Sequence, residues 1–198
     1  DPATGEENFA IMPKDLMDNL YDLYLDSSSF SHIYGLDGDM VLRTVGSNIY
    51  LYVGMRRGGN NYYAFDITSK TNPSLMFKIE GGTGDFANSG QTWSKPTVTK
   101  IKVGGTTKDV LIFGGGYDED QDNKLLRSAD SVGNSVFIVD ANSGELIWSA
   151  SDANADLNLT EMEYSIPARV SVIDRENDGY ADHMYVADMG GQLFRLDI

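Results

Sequence analysis

Leu51-Tyr52-Val53-Gly54, leading through glycines to Tyr63-Ala64-Phe65-Asp66, is the stretch on which the fold turns. Its pattern recurs twice. Leu111-Ile112-Phe113-Gly114 leads through a longer insert to Phe137-Ile138-Val139-Asp140, and Tyr185-Val186-Ala187-Asp188 leads through Gly190-Gly191 to Phe194-Arg195-Leu196-Asp197. Each unit reads as a buried hydrophobic strand, a glycine turn and a second strand ending on aspartate. Two units continue into a further strand, most plainly at Asp140-Ala141-Asn142-Ser143-Gly144-Glu145-Leu146-Ile147-Trp148. Repeated four-stranded sheets with aromatic and glycine punctuation are the mark of a β-propeller.

Working outward, strands are predicted at Asn48–Gly54, Tyr62–Ile67, Leu75–Ile79, Lys95–Val103, Asp109–Gly114, Ser135–Asp140, Glu145–Ser149, Ala168–Ile173, His183–Asp188 and Gln192–Asp197, with a further one at Val41–Val45. A single helix is predicted over Met12–Tyr24, within a helical lead-in of 12–26. Leu16, Leu20, Leu23 and Tyr24 recur at helical spacing, Pro13 suits a first turn, and the serines at 27–29 end it. The expected class is all-β, a partial β-propeller of about three blades at roughly 40–80, 94–150 and 166–198. Propellers close with roughly four to eight blades, and the third unit stops at Ile198 before a fourth strand. A piece of a larger propeller is therefore expected.

Composition narrows the function. The net charge is −15, from 30 acidic and 15 basic residues, and the close cationic pair is Arg56-Arg57. Nucleic-acid binders carry a basic patch, so nucleic acid is not an expected partner. No apolar run reaches the length of a membrane-spanning helix, and no signal peptide is read at Asp1. With no cysteine, disulfides, thiolate zinc sites and thiol catalysis fall away. His32 and His183 lie in no catalytic or metal motif and are read as structural.

The chemistry concentrates in Asp174-Arg175-Glu176-Asn177-Asp178-Gly179-Tyr180-Ala181-Asp182. Carboxylates at positions 1, 3, 5 and 9 with glycine at 6 match a calcium loop, in which side chains at 1, 3 and 5 and a carbonyl at 7 turn inward. An EF-hand needs flanking helices and a glutamate at position 12; position 12 is Tyr185 and both flanks read as strands. What remains is a calcium clip in a strand-to-strand turn. The rival is an ordinary Asn-Asp-Gly hairpin with solvated charges. Electrostatics disfavours it, since each of six like-charge pairs costs about 0.7 kcal/mol at roughly 5–6 Å even in water. A second cluster, Asp118-Glu119-Asp120-Gln121-Asp122-Asn123, has the 1, 3, 5 spacing without glycine at 6 or an acid at 9. It reads as a solvated loop in preference to a second calcium site. The insert from Asp118 to Asn134 is long for a hairpin, and is expected to be mobile or to form part of a partner surface.

Five ordered segments resemble the C-terminal propeller of the PilY1/PilC family of type IV pilus biogenesis factors and tip adhesins. They are Phe9–Leu16; Arg57–Thr68; Trp93–Val98; Gly114–Tyr117 together with Asp140–Trp148; and Asp178-Gly179-Tyr180-Ala181-Asp182 running into Met184–Arg195. The resemblance implies a quinoprotein-like propeller in an exported bacterial protein at the pilus, extracellular or at the cell surface after passage through the periplasm, with outer-membrane association. It implies Ca2+ held by the Asp174, Glu176, Asp178 and Asp182 side chains and the Tyr180 carbonyl, with effects on pilus extension and retraction, adhesion and twitching motility. Implied partners are pilus components, major or minor pilins, and host or abiotic surfaces. Position 3 is usually Asp or Asn in such loops; the longer Glu176 is the departure, reaching calcium through water. Some members carry Arg-Gly-Asp, but Arg57-Gly58-Gly59 stands here, so integrin binding is not carried over.

Two alternatives stay open. Ser143–Trp148 resembles the tryptophan motif of quinoprotein dehydrogenases, but a single copy without vicinal cysteines or a convergent acid/base set argues structure, and no enzyme is expected. An integrin-like calcium-binding adhesion propeller would place calcium loops in several blades, and Met55-Arg56-Arg57 is not such a loop.

Overall fold

The computed structural model describes residues 3–25 and 32–198. Among these residues, twelve strands form three sheets that follow one another along the chain. The first contains β1 (Met40–Val45), β2 (Asn48–Gly54), β3 (Tyr62–Asp66) and β4 (Ser74–Ile79), all antiparallel and in chain order. The second contains β5 (Thr97–Val103), β6 (Thr106–Gly114), β7 (Ser135–Asp140) and β8 (Leu146–Ser151), with a short β9 (Leu157–Asn158) added parallel to β8. The third contains β10 (Ser171–Ile173), β11 (His183–Ala187) and β12 (Leu193–Asp197).

Turn chemistry fixes the registers. Gly104 and Gly105, at φ +56° and +81°, join β5 to β6 with Val103 opposite Thr106. Both central residues of such a two-residue turn need positive φ, which glycine adopts without steric cost. The sequence repeat is also a structural one. The β3–β4 pairing shifts register between Ala64 and Phe65, and β7–β8 shifts at the matching place, between Ile138 and Val139.

The apolar runs of the second sheet are explained by burial on both faces. Leu111, Phe113, Phe137 and Val139 pack with Tyr52, Tyr62, Ala64 and Ile79 of the first sheet. The alternate residues Val110, Ile112, Val136 and Ile138 pack with Met184, Val186 and Leu196 of the third. Period-two alternation sends successive side chains to opposite faces, so a strand with two covered faces is hydrophobic throughout. Full burial contributes about 1.5–3 kcal/mol for each such side chain, which makes this double packing the main cohesion of the stack.

Polar groups reinforce it. Arg43, 8% exposed, leaves β1 to donate to Asp109 (2.6 Å), Asn142 (2.8 Å) and the Tyr52 hydroxyl (3.3 Å). It clamps the first sheet to the second. The segments between sheets are tied in the same way: the Ser94 hydroxyl donates to the Ala168 carbonyl and accepts from the Gly114 N–H, each at 2.9 Å.

The lead-in departs from the expected helix over Met12–Tyr24. A 3-10 helix spans Lys14–Asn19, followed by a six-residue α-helix, α1 (Leu20–Leu25). Leu16 is buried against Val53, Met55, Tyr63 and Phe65 on the outer face of the first sheet, and Asp15 accepts from the Tyr63 hydroxyl at 2.5 Å. Leu20, Leu23 and Tyr24 are exposed, the last at 85%, so the apolar periodicity did not mark a core-facing stripe. Isolated helices this short are unstable on propensity alone; one buried anchor and the Asp15 contacts set the local geometry instead. Residue 26 of the lead-in and the serines at 27–29 lie outside the described residues. Strand ends shift modestly: the predicted Lys95–Val103 begins at Thr97, after Pro96, which has no N–H for the ladder. Ala168–Ile173 shrinks to Ser171–Ile173, and the Ala168 and Val170 carbonyls accept instead from the Ser94 and Thr97 hydroxyls.

Candidate functional site

The 174–182 turn joins β10 to β11, so strands flank it on both sides. Its path requires positive φ at Asn177 (+55°) and Gly179 (+88°), residue types that enter this region most readily. The carboxylates organise the backbone. Asp174 accepts from the N–H groups of Asp178 (3.2 Å) and Gly179 (2.8 Å), and Asp178 from that of Tyr180 (3.0 Å). Asp182 accepts from Arg175 (2.6 Å) and Glu176 (3.4 Å), closing the turn from its far end.

The turn also rests on the second sheet. The Ala181 N–H donates to the Lys100 carbonyl (2.8 Å), and Thr107 shares a 2.9 Å hydrogen bond with the Tyr180 hydroxyl. Lys102 places its ammonium 3.3 Å from Asp178 and 4.1 Å from the centre of the Tyr180 ring. Sequence reading missed this cation, which comes from a strand more than seventy residues away. No local signal pointed to it.

The five expected ligand residues therefore share one turn but do not point at one centre. Asp174 and Asp182 cap amides, Asp178 faces Lys102, and the Glu176 side chain has no polar partner among the described residues. Among those residues no three His, Cys, Asp or Glu side chains form a group that could hold a metal ion. The donor set nonetheless suits a hard cation: every donor is oxygen, and an ionised carboxylate offers about four lone-pair sites, of which each amide takes one.

The second acidic cluster keeps Glu119, Asp120, Asp122 and Asn123 exposed, as a solvated loop would, but departs from that expectation at Asp118 and in its helical backbone. Glu119–Asn123 is a 3-10 helix capped by Asp118, which is 2% exposed. Asp118 accepts from the N–H of Asp120 (3.0 Å) and from both the N–H (2.8 Å) and hydroxyl (3.0 Å) of Ser131. Burial alone would raise its pKa, but the amide donors of Ser131 and Asp120 pull it below the ordinary carboxylate value. Asp122 pairs with Arg57 and accepts from Tyr117 (2.8 Å), and those bonds lower its pKa as well. The ends of the 118–134 insert are thus fastened, while Leu125 and Leu126 at its middle stand in solvent.

Arg56-Arg57 lies beside this cluster. Arg56, at φ +49°, stacks its guanidinium 4.2 Å from the Trp93 ring centre. A cleft of about 520 Å³ opens alongside, between Arg57, Asn60, Gln91, Tyr117 and Glu119. Trp148 is half-buried against the core shared by the second and third sheets, a packing position. His183 bonds Asp197 across β11 and β12 (2.8 Å), and His32 meets the edge of the Tyr34 ring.

Fold and turn together describe a class: sequential antiparallel sheets stacked face to face, with an acidic turn at the tip of one hairpin. No protein-family profile matches the chain. Two relatives do. The type IV pilus biogenesis factor PilY1 of Pseudomonas aeruginosa is 26% identical over 200 residues, covering 98% of this chain and 16% of the relative. The PilY1 homolog of Xylella fastidiosa is 25% identical over 205 residues, covering 98% of this chain and 13% of the relative. The chain thus spans about one sixth of these relatives or less. Among solved structures, the C-terminal domain of P. aeruginosa PilY1 superposes with a TM-score of 0.64 at 21% identity, over 98% of this chain and 35% of that one. The resemblance to the C-terminal region of the PilY1 family therefore holds over nearly the whole sequence.

Proposed function

We propose that this chain is a propeller segment of a type IV pilus-associated protein, with Ca2+ bound at the 174–182 turn setting the state of the surface around it. The observation that carries the pilus reading is the 98% coverage by proteins named as type IV pilus biogenesis factors. The propeller reading is supported by three sequential sheets, by a register shift repeated in two of them, and by an uncovered outer face on the third sheet, where Leu193 is 72% exposed. An experimental structure in which the first and third sheets close directly on one another would overturn it.

In this reading Asp174, Asp178, Asp182 and the Tyr180 carbonyl hold the ion, with Glu176 through water. Bound calcium would neutralise the carboxylates and draw their free oxygens to one centre, which amide hydrogen bonds alone do not do. Asp174 and Asp182 keep the turn's amides ordered, and Lys102 anchors Asp178 and Tyr180 against the second sheet. The module binds and does not catalyse. Its partners are major or minor pilins, with host or abiotic surfaces beyond them, at the cell surface after export through the periplasm. The consequences would be on pilus extension against retraction, adhesion and twitching motility. The test is capture of pilus components on the immobilised chain with calcium and with chelator. Calcium-dependent capture that Asp178→Ala abolishes supports the reading; pilin capture insensitive to both sinks the calcium switch, and no capture under any condition sinks the pilus assignment.

A further inference from the structure

A second oxygen cluster lies inside the molecule, away from the turn. Three buried side-chain atoms have no hydrogen-bond partner among the described residues: Asp130 Oδ1, Ser165 Oγ and Asp188 Oδ2. Ser165 is fully buried, Asp188 is 8% exposed, and the Asp130 side chain is 0% exposed. Residue 165 links them. Its N–H donates to Asp130 Oδ2 (2.5 Å), and its carbonyl accepts from the N–H of Met189, the neighbour of Asp188 (2.9 Å).

Each carboxylate is used on one side only. Arg127 and the Ser165 amide both approach Asp130 Oδ2, leaving Oδ1 bare. The Gln192 amide takes Asp188 Oδ1 at 2.7 Å, leaving Oδ2 bare. Asp188 also breaks the repeat, standing where the first two units carry Gly54 and Gly114. A buried polar oxygen without a partner is costly, and two carboxylate oxygens and a hydroxyl left so at residues joined through Ser165 call for a shared occupant. Water would satisfy hydrogen bonding but not charge, because Arg127 pairs with Asp130 while Asp188 has no cationic partner among the described residues. Oxygen-only donors and residual negative charge select a hard cation.

We propose that Asp130, Ser165 and Asp188 hold a hard, oxygen-liganded metal cation, with the chemistry of calcium or sodium, that fastens the 118–134 insert to the third sheet. The site is independent of the 174–182 turn, so the test uses the full chain carrying Asp178→Ala. Thermal unfolding is followed at constant ionic strength in choline buffer with chelator, then with calcium or sodium titrated in. One of the two should raise the midpoint saturably, on the order of 5 °C at a hundred-fold excess over Kd. Adding Asp188→Asn should remove that rise, and adding Ser165→Ala, which deletes a neutral ligand, should weaken the apparent affinity about ten-fold or more. A midpoint that neither cation moves, as for a site filled by water, overturns the proposal. So does an unchanged titration in the Ser165→Ala variant. A calcium response lost on Asp178→Ala alone, with sodium also without effect, would assign the only ion to the turn.

Discussion

Two acidic segments of this chain share the same 1, 3, 5 spacing and have opposite fates. At 118–123 the first carboxylate is drawn into the body, where it caps a 3-10 helix and holds Ser131 across the insert. At 174–182 the carboxylates stay at the surface and spend their oxygens on the turn's own amides. The spacing of acids therefore decides neither burial nor ligation. What separates the two is the backbone. Gly179 lets the later segment reverse within a tight hairpin, whereas the earlier one, without glycine at its sixth position, runs into a helical turn and an insert that folds back over it.

The largest expected effect is at Asp118. Asp118→Ala removes a buried acceptor that serves the Ser131 and Asp120 amides and the Ser131 hydroxyl, and should cost about 2–3 kcal/mol in chemical denaturation; a cost under about 0.5 kcal/mol would return that segment to the solvated loop read from sequence. Next is Gly179→Ala. A Cβ there meets nothing within 4 Å, so the cost is purely one of backbone conformation at φ +88°, about 1–2 kcal/mol. A neutral result would mean that the turn is not held in this shape.

A pH titration divides the segments further. The folded-state pKa of Asp118 lies below its ordinary value, so the folded chain binds fewer protons there than the unfolded one. That contribution is present above roughly pH 4 and is lost as pH falls through the folded pKa. Asp118→Asn should flatten the acid limb of the stability curve; an unaltered limb would assign the acid sensitivity elsewhere. The smallest effect on stability is expected at Lys102. Its pair with Asp178 is exposed on both sides, so Lys102→Ala should change stability by under about 1 kcal/mol. It should tighten calcium binding at the turn by removing a competing cation, which isothermal titration would register as a lower Kd.

Most of the strand pattern was legible because alternation and glycine punctuation are local properties. Asn48–Gly54 and Ser135–Asp140 coincide with the strands seen. The hydrophobic runs at Val110–Phe113 and Val136–Val139 signalled burial, though which neighbour covered which face was not in the pattern. The misses share a different cause. Arg43 lies in the predicted strand Val41–Val45 with nothing local to mark it, and only the arrival of Asp109 and Asn142 from the next sheet makes it a buried clamp. Asp118 looked solvated because its partner lies thirteen residues on. In the lead-in, the helical period joined one buried residue, Leu16, to three that face water, Leu20, Leu23 and Tyr24. The turn's carboxylates were legible as a cluster, but not the amides and the lysine they engage.

The coverage of the second sheet on both faces has a consequence for how the molecule comes apart. Stacked units stabilise chiefly through their nearest neighbours, so the middle unit opens only when both interfaces are given up. Amide exchange should be slowest in β6 and β7. In this 198-residue segment on its own, it should be faster in the first sheet, which Arg43 and Leu16 secure, and fastest in the three-stranded third sheet, covered on one side by the described residues. The acidic turn thus sits on the least protected unit, so whatever binds there acts on the part of the stack that opens first.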